Sequence, residues 1–355
     1  MTSDNPEPFP PDDPRAGRPL AWSVSVVLFI AFSALGLWLA ARVTGGSLPR
    51  PDPRLFQPAS LALIAAFLAV FYLSDGLRLT YVLRALDVPV PLRKLFPLVF
   101  INILFSNVTP LASGGGFAQV WYLKRLGVPV GTSAAATTIR TILAMIAIFL
   151  AAPLLQAIAP SPAIGGMGRV ISQSVLVLVL VYLAGFIILL TRPFWLVRCV
   201  EVLLHGMQRI GLIGADRRAG WTAAINRETV AFGRGFRQFM AAPLRHSLGA
   251  VLWTLLFLST LFAFPALIMV LLDYRIDWIT VTGAVAVVTF LMYFAPTPGG
   301  AGFAELAFAG LMFTQTTSDD LVLVIFVWRF LTTYLGMALG VVVSVMVFAK
   351  AGRRS

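Results

Sequence analysis

A ten-residue motif that occurs twice constrains this chain more than any other feature of its sequence. PLASGGGFAQ runs from Pro110 to Gln119, and PTPGGAGFAE runs in the same register from Pro296 to Glu305. Both copies interrupt apolar sequence with proline and glycine, which break helices and expose backbone groups that lipid cannot satisfy. Such breaks persist where they are buried in protein or line a polar cavity. A matching pair of them indicates the substrate site of a transporter.

The composition places the chain in a membrane. Hydrophobic residues make up 59% of its 355 positions and charged residues only 12%, with a mean hydropathy of +0.88, whereas soluble domains carry about 25% charged residues. We therefore predict an all-α polytopic membrane protein with about eight hydrophobic segments, including two re-entrant broken hairpins in an inverted-topology repeat. The predicted segments lie near 20–42, 58–77, 95–110, 132–155, 170–191, 246–272, 278–295 and 320–349. A disordered tail over 1–19, an interfacial basic loop over 192–245 and a tail over 350–355 complete the organisation.

The loop charges predict the orientation of the chain, because cytoplasmic loops are enriched in lysine and arginine. Arg15 and Arg18 precede the first segment and place the N-terminus in the cytoplasm of a bacterial-type inner membrane. The same side receives the C-terminal tail, the loop 192–245 and the basic residues assigned to two shorter loops, which are Arg78, Arg84, Arg93, Lys94, Lys124 and Arg125. The opposite side receives the acidic residues Asp273, Asp277, Asp319 and Asp320, with Arg42, Arg50 and Arg54 as exceptions to the rule.

This charge pattern requires the two broken segments to be inverted relative to each other. Lys124 and Arg125 return to the cytoplasmic side only if residues 95–126 dip into the membrane and come back. The second copy must then enter from the opposite side and return there. We expect the two breaks to meet near the middle of the membrane, as in secondary transporters built from inverted repeats.

Three ionisable residues are predicted to lie inside the membrane segments. They are Arg140, Arg329 and Glu305. A charge at this depth costs at least about 2.5–3.5 kcal/mol, so each should face the interior and have a partner. Arginine presents a planar fork of donors that suits phosphate, and two arginines against one carboxylate leave a surplus positive charge. The alternative is a pair of Glu305 with Arg329 or Arg140 that only locks the helices together.

The predicted substrate-binding residues combine these ionisable groups with the two breaks. Backbone amides at the glycines, placed at the N-termini of half-helices, would add partial positive charge. The complete set is Arg140, Arg329, Glu305, Asn107, Pro110, Ser113, Gly114, Gly115, Gly116, Pro296, Pro298, Gly299, Gly300 and Gly302. Asn102, Asn107, Thr109 and Ser113 either bind a headgroup or satisfy the backbone freed at Pro110.

The sequence argues against catalysis, metal and nucleic acid. It has no HExxH motif, and the only histidine within a predicted segment, His246, stands at its cytoplasmic edge. Its single cysteine, Cys199, rules out an internal disulfide or a cysteine metal cluster. We expect no catalytic residues, no metal and no cofactor. The net charge of +12 follows the loops, as membrane orientation requires, so no nucleic-acid partner is expected.

Three stretches of the chain resemble the lysylphosphatidylglycerol synthase transmembrane-region family, whose members are also called flippase-like domain proteins. NVTPLASGGGFAQVWYLKRLGVPVGTSAAATTIRTIL is similar to the first family signature, PTPGGAGFAELAFAGLM to the second, and WRFLTTYLG to the final arginine-bearing helix. The resemblance covers residues 20–349 and implies that a phospholipid or polyisoprenoid moves between leaflets. The aminoacyltransferase domain of bifunctional members does not follow here, so lysine transfer is not expected. Many members carry acidic residues beside the arginine in TIRTIL, and both are absent in this chain.

Four functions remain open at this point. The first is a flippase for a membrane lipid with an anionic or lipid-linked headgroup, and the second is a small-solute secondary transporter, which inverted repeats fit equally well. The third is a membrane-embedded lipid-processing enzyme. The fourth is a partner of an envelope-lipid synthase that does not itself transport, and the chain could also form homo-oligomers. A cavity that opens sideways into the bilayer would favour the flippase over the solute transporter.

Overall fold

The described residues form a helical membrane protein. The computed structural model describes residues 19–47, 49–109, 113–158, 230–313 and 315–352, and no strand occurs within them. The main helices are α1 (Pro19–Thr44), α2 (Pro58–Ala85), α3 (Leu92–Val108), α4 (Ser113–Arg125), α5 (Val130–Ile158), α6 (Leu244–Leu271), α7 (Trp278–Met292), α8 (Phe303–Met312), α9 (Ser318–Arg329) and α10 (Leu335–Gly352). Short turns of 3₁₀ helix lie at Pro53–Phe56 and Pro298–Gly300, a π-helical turn over Phe330–Tyr334 joins α9 to α10, and residues 230–241 are helical.

Within the described residues, five stretches are long and apolar enough to cross a membrane, which takes about 20 residues. They are Val27–Thr44, Pro58–Ala85, Val130–Leu155, Leu244–Leu271 and Ser318–Val347. The prediction of an all-α polytopic membrane protein is therefore confirmed. The predicted segment 170–191 and the loop over 192–229 lie outside the described residues. The total of eight segments and the re-entrant placement of the hairpins remain predictions.

One predicted boundary is wrong, and the error affects the site. The second segment was predicted to end near residue 77, but α2 continues to Ala85. It ends where Asp87 adopts a positive φ of 54°, just before Pro89. Arg78, which was assigned to a cytoplasmic loop, therefore lies inside the helix and is buried.

The first motif lies at the tip of a helical hairpin. α3 and α4 run antiparallel, as three contacts along their length establish. At the open end the Tyr122 hydroxyl donates to the Lys94 carbonyl (2.9 Å), and halfway along the Gln119 amide donates to Asn102 (2.5 Å). Near the tip Gly115 lies against the Ser106 hydroxyl. This glycine allows the two helices to approach closely beside the break, because any Cβ at that position would collide with Ser106.

The second motif lies between α7 and α8, which also pack against each other. Its three glycines, Gly299, Gly300 and Gly302, all have positive φ values. This backbone conformation is readily adopted by glycine and seldom by residues with a Cβ. The chain therefore reverses between Tyr293 and Gly302 through a short 3₁₀ turn without an α-helix, and α8 begins at Phe303.

The two hairpins open on opposite faces of the protein. The second opens on a face we call the acidic face, formed by residues 45–47, 49–57, 272–277 and 315–317. Contacts between Ser318 and the Thr44 carbonyl (2.6 Å) and between Tyr274 and Asp320 (2.5 Å) hold this face together. The first opens on a face we call the basic face, formed by residues 86–91, 126–129 and 242–243, where the Gln238 amide donates to Asp87 (2.7 Å).

The tips of the two hairpins meet inside the protein. The side chain of Asn107, at the end of α3, lies directly against Gly299 in the second break. Gly36 of α1 faces the backbone of Gly302 at close range, so α1 covers the same break from the other side. These contacts bring the two breaks together, while the inverted, re-entrant placement of the hairpins in a membrane remains a prediction.

Arg54, an exception to the charge rule, is compensated locally. Its Nη2 donates to Asp52 (2.8 Å) and its Nη1 donates to the Leu272 carbonyl (2.6 Å). Hydrogen bonds from the side chain and amide of Arg54 lower the pKa of the Asp52 carboxyl. The carboxylate therefore remains ionised near neutral pH and balances the arginine on the acidic face.

Cysteine labelling would test the opposed faces. In a Cys199→Ser background, Pro91→Cys on the basic face and Phe313→Cys beside the acidic face place single exposed thiols at opposite hairpin bases. A membrane-impermeant maleimide should label Phe313→Cys in intact cells and Pro91→Cys only in inverted vesicles. Labelling of both from the same side would contradict the inverted arrangement.

Candidate substrate-binding site

An ion pair closes the second repeat. Glu305 lies in the first turn of α8 and Arg329 at the end of α9, and their side chains are only 1% and 3% exposed. The Arg329 Nε donates to Glu305 Oε1 (2.9 Å), and its Nη2 donates to the Gly299 carbonyl (3.3 Å). The arginine therefore holds both the acidic end of the motif and a backbone carbonyl inside the break. Of the two predicted partners for Glu305, the structure selects Arg329.

An analogous arrangement closes the first repeat. The Arg140 Nη1 donates to Gln119 Oε1 (2.7 Å), so the last residue of each motif accepts a hydrogen bond from an arginine on a later helix. The Gln119 side-chain amide in turn donates a hydrogen bond to Asn102 Oδ1 on α3 (2.5 Å). Because glutamine carries no charge, the carboxylate for Arg140 comes from elsewhere. It is Asp75 of α2, whose two oxygens accept from Arg140 Nη2 at 2.6 and 2.7 Å.

Asp75 and Arg78 are site residues that sequence reasoning missed. Arg78 Nη2 lies 2.5 Å from Asp75 Oδ1, and its guanidinium lies over the Phe257 ring, 4.0 Å from the centroid. The prediction that only three ionisable groups lie inside the segments, with Glu305 as the single buried carboxylate, is wrong. The sequence SDGLR contained a signal, since an acid and a base three residues apart on a helix face the same way.

The structure shows which residue replaces the acidic neighbours that many family members carry beside the arginine of TIRTIL. The acidic partner absent from the sequence around Arg140 is supplied by α2 rather than α5. Arg140 lies ten residues into α5 from the basic face, and Arg329 lies eleven residues into α9 from the acidic face. At about 1.5 Å per residue both are roughly 15 Å deep, so the two arginines approach the middle of the protein from opposite sides.

The surplus of buried positive charge predicted from the sequence is present, but the two repeats do not carry it equally. Five charged side chains are buried among the described residues: Asp75, Arg78, Arg140, Glu305 and Arg329. Glu305 and Arg329 balance each other, whereas two arginines share Asp75 in the first repeat. The net positive charge therefore lies between α2 and α5.

The polar residues near the first break satisfy its backbone. The Thr109 hydroxyl accepts from the Gly114 amide (2.8 Å) and donates to the Phe105 carbonyl (2.7 Å), and the Asn107 amide donates to the Ile103 carbonyl (2.8 Å). In the second break the Gly300 amide donates to the Thr297 carbonyl (3.1 Å). The amides of Gly114 and Gly300 are thus engaged within the protein, and a role of the two breaks in binding a ligand stays a prediction.

The remaining predicted residues shape the breaks. Gly115 packs against α3, Gly116 has open space around its Cα, and Pro298 begins the 3₁₀ turn beside an exposed Pro296. Ser113 begins α4, and Pro110 lies outside the described residues. Across the described ranges no group of three His, Cys, Asp or Glu side chains could hold a metal ion. The chemistry that the arrangement offers is the binding of an anion by buried arginines.

The helical fold, the paired breaks and the buried ion pairs define a multi-pass membrane protein with an internal repeat. The family model for the lysylphosphatidylglycerol synthase TM region matches residues 24–340, so the chain belongs to this family and the predicted family is confirmed. A relative from Archaeoglobus fulgidus, described as a UPF0104 membrane protein, is 23% identical over 288 residues, which cover 79% of this chain and 85% of the relative.

Removing Glu305 should expose the cost of an unpaired buried arginine. We expect Glu305→Gln to destabilise the protein by about 3–5 kcal/mol, because breaking a buried pair leaves the other charge uncompensated. Glu305→Gln/Arg329→Gln should recover most of that loss. Thermal unfolding of the purified protein in detergent would measure both.

Asp87→Asn provides the matched control for this experiment, since Asp87 is an exposed carboxylate and exposed pairs contribute less than about 1 kcal/mol. A double variant no more stable than Glu305→Gln alone would show that the pair itself does not determine stability.

Proposed function

We propose that this protein moves a membrane lipid with an anionic or lipid-linked headgroup between the leaflets of the bilayer. The single observation that carries the proposal is a groove of about 420 Å³ between α1 and the α9–α10 segment. Its lining consists of Phe29, Ile30, Ser33, Ala34, Leu37, Phe326, Tyr334 and Met337. Ile30 is 60% exposed and Phe326 is 37% exposed, so the groove opens on the outer surface of the spans.

The position of the groove favours a lipid over a soluble substrate. α1 and α9 both belong to stretches that are long enough to cross the membrane, so the surrounding medium at this surface is hydrocarbon. A solute path would be closed to the bilayer, whereas this groove offers an apolar surface for an acyl or prenyl chain. Ser33 and Leu37 flank Gly36, whose neighbour is Gly302 in the second break. The apolar groove and the polar break therefore lie on adjacent faces of the same helix.

In this proposal the groove holds the lipid chains and the buried arginines bind the headgroup. A lipid headgroup must cross the hydrocarbon region, where an unpaired charge is costly. Arg140 on α5 and Arg329 on α9 stand at similar depths, each hydrogen-bonded to one of the two hairpins, and could receive the headgroup in turn while its chains remain outside in lipid. Such exchange about a central site is how inverted repeats provide alternating access.

We further propose that the protein acts as a transporter and not as an enzyme. Each buried carboxylate is bonded to arginine, which suits charge balance better than proton transfer. The proposal includes cytoplasmic termini in the inner membrane, no cofactor and no nucleic acid. An envelope-lipid synthase or a second copy of the chain would be its protein partner.

Filling the groove should stop lipid movement without touching the arginines. Ala34→Trp places an indole in the groove, and we expect at least a tenfold loss of lipid translocation in proteoliposomes, because the chain path is blocked. Leu35→Trp is the matched control, since Leu35 is the next residue of α1, is 47% exposed and does not line the groove. Equal activity of the two variants would remove the groove from the mechanism.

Removing Arg140 should abolish translocation while the fold is retained. In Arg140→Ala the Asp75 carboxylate keeps Arg78 as its partner, so no buried acid is left unpaired. We expect at least a tenfold lower rate for a fluorescent anionic phospholipid, because a charge-assisted ligand of the headgroup is lost. Arg84→Ala, which removes an exposed arginine of α2, should transport at the wild-type rate. Full activity of Arg140→Ala would exclude this arginine from the path.

A further inference from the structure

We propose that Arg78 and Arg140 together bind a phosphate-type anion between α2 and α5, and that this binding requires the Arg78 side chain. The inference rests on the proposed function, which it deepens by locating the anionic group of the substrate. The inference also assigns the two repeats different roles. The first repeat carries the charge that attracts the anion, and the second carries a neutral pair.

The first argument is the local charge balance. Asp75 is a single carboxylate held between two guanidinium groups, at 2.5 Å from Arg78 and 2.6 Å from Arg140. All three side chains are less than a tenth exposed. A net positive charge in this environment is unfavourable unless a further negative group approaches it, because the protein interior solvates ions poorly.

The second argument is the set of donors that remain. Arg78 Nε, Arg78 Nη1 and Arg140 Nε are buried and have no hydrogen-bond partner among the described residues. Buried donors of this kind normally have a partner. Asp75 already accepts from both arginines, and Gln119 already accepts from Arg140 Nη1. The donors left over belong to two different arginines beside one carboxylate, which suits an anion with several acceptor oxygens.

The third argument is the chemistry of the ligand. Guanidinium groups match the tetrahedral oxygens of phosphate and bind them through two parallel hydrogen bonds. The phosphodiester of a lipid headgroup and free inorganic phosphate share this chemistry. The Phe257 ring covers the Arg78 guanidinium from α6, so the cation is kept out of water and its attraction for an anion is stronger.

The comparison between the repeats gives the same result. At the end of the second motif Glu305 neutralises Arg329, whereas the matching position in the first motif is Gln119. A glutamate at position 119 would cancel the surplus charge. The uncharged side chain leaves it in place. The one polar difference between the ends of the two motifs therefore determines which repeat can attract an anion.

Binding of inorganic phosphate to the full-length, delipidated protein in detergent tests this site directly. Isothermal titration of wild type should show binding, and Arg78→Gln should weaken it about 10- to 100-fold, the loss expected for a charge-assisted hydrogen bond. Gln119→Glu keeps Arg78 and should weaken binding as well, by removing the surplus charge. Arg84→Gln removes an exposed positive charge from the same helix and should bind phosphate as wild type does.

Stability without phosphate distinguishes a binding role from a structural one. Because Asp75 and Arg140 balance each other, Arg78→Gln should unfold at the wild-type temperature or above it, and added phosphate should stabilise wild type only. The proposal is overturned if phosphate binds Arg78→Gln and Gln119→Glu within about twofold of wild type, or if wild type does not bind it.

A second titration identifies the source of the anion. Displacement of phosphate by a short-chain phosphatidylglycerol supports a lipid headgroup at the arginines, and phosphate binding that this lipid leaves unchanged supports a free anion there. Wild-type phosphate binding without lipid translocation would count against the proposed function alone. Lipid translocation by wild type with unaltered phosphate binding by Arg78→Gln would count against this site alone.

Discussion

Each helical hairpin of this protein is tied to a long helix by one buried arginine, and the rest of the architecture depends on that connection. A break in a membrane helix frees backbone groups that only protein can satisfy. Arg329 meets this need directly, since one guanidinium binds both Glu305 and the carbonyl of Gly299. Arg140 binds Gln119 at the equivalent point of the first repeat. The arginines therefore fix the hairpins to the bundle at the places where helical hydrogen bonding stops.

The two connections are alike in geometry and different in charge. Glu305 makes the second one neutral, while the first recruits Asp75 from α2 and holds Arg78 as well. A transporter whose halves were electrostatically identical would bind an anion equally in both. Here the resting protein holds its excess charge on the side of the hairpin that opens on the basic face. Under the proposed function, an anionic headgroup would therefore meet its stronger attraction in the first repeat.

The sequence pointed to most of the buried charged residues, and there is a physical reason why it missed the others. The repeated motif, Arg140, Arg329 and Glu305 stand out because clusters of glycine and proline break helices and charge is rare in spans. The structure places the three charged side chains against the two hairpins. Arg78 was excluded because hydropathy ended the second segment near residue 77, although α2 continues to Ala85, and Asp75 was overlooked inside the predicted segment. The partner of Arg140 could not be predicted from local pattern, since it lies 65 residues away in sequence. Helix ends and long-range ion pairs follow from packing, which composition and spacing do not encode.

The separation between apolar groove and charged interior argues for a substrate that is itself divided into two parts. The groove between α1 and α9–α10 has an almost entirely apolar lining, whereas the arginines of both repeats are buried in the interior. A uniformly polar solute would not bind the apolar groove, and an apolar molecule would not bind the buried arginines. An anionic lipid uses both, because its chains are soluble in the bilayer while its headgroup is not. Under the proposed function the barrier to lipid movement lies in the headgroup alone, and buried positive charge near the middle of the spans would lower it.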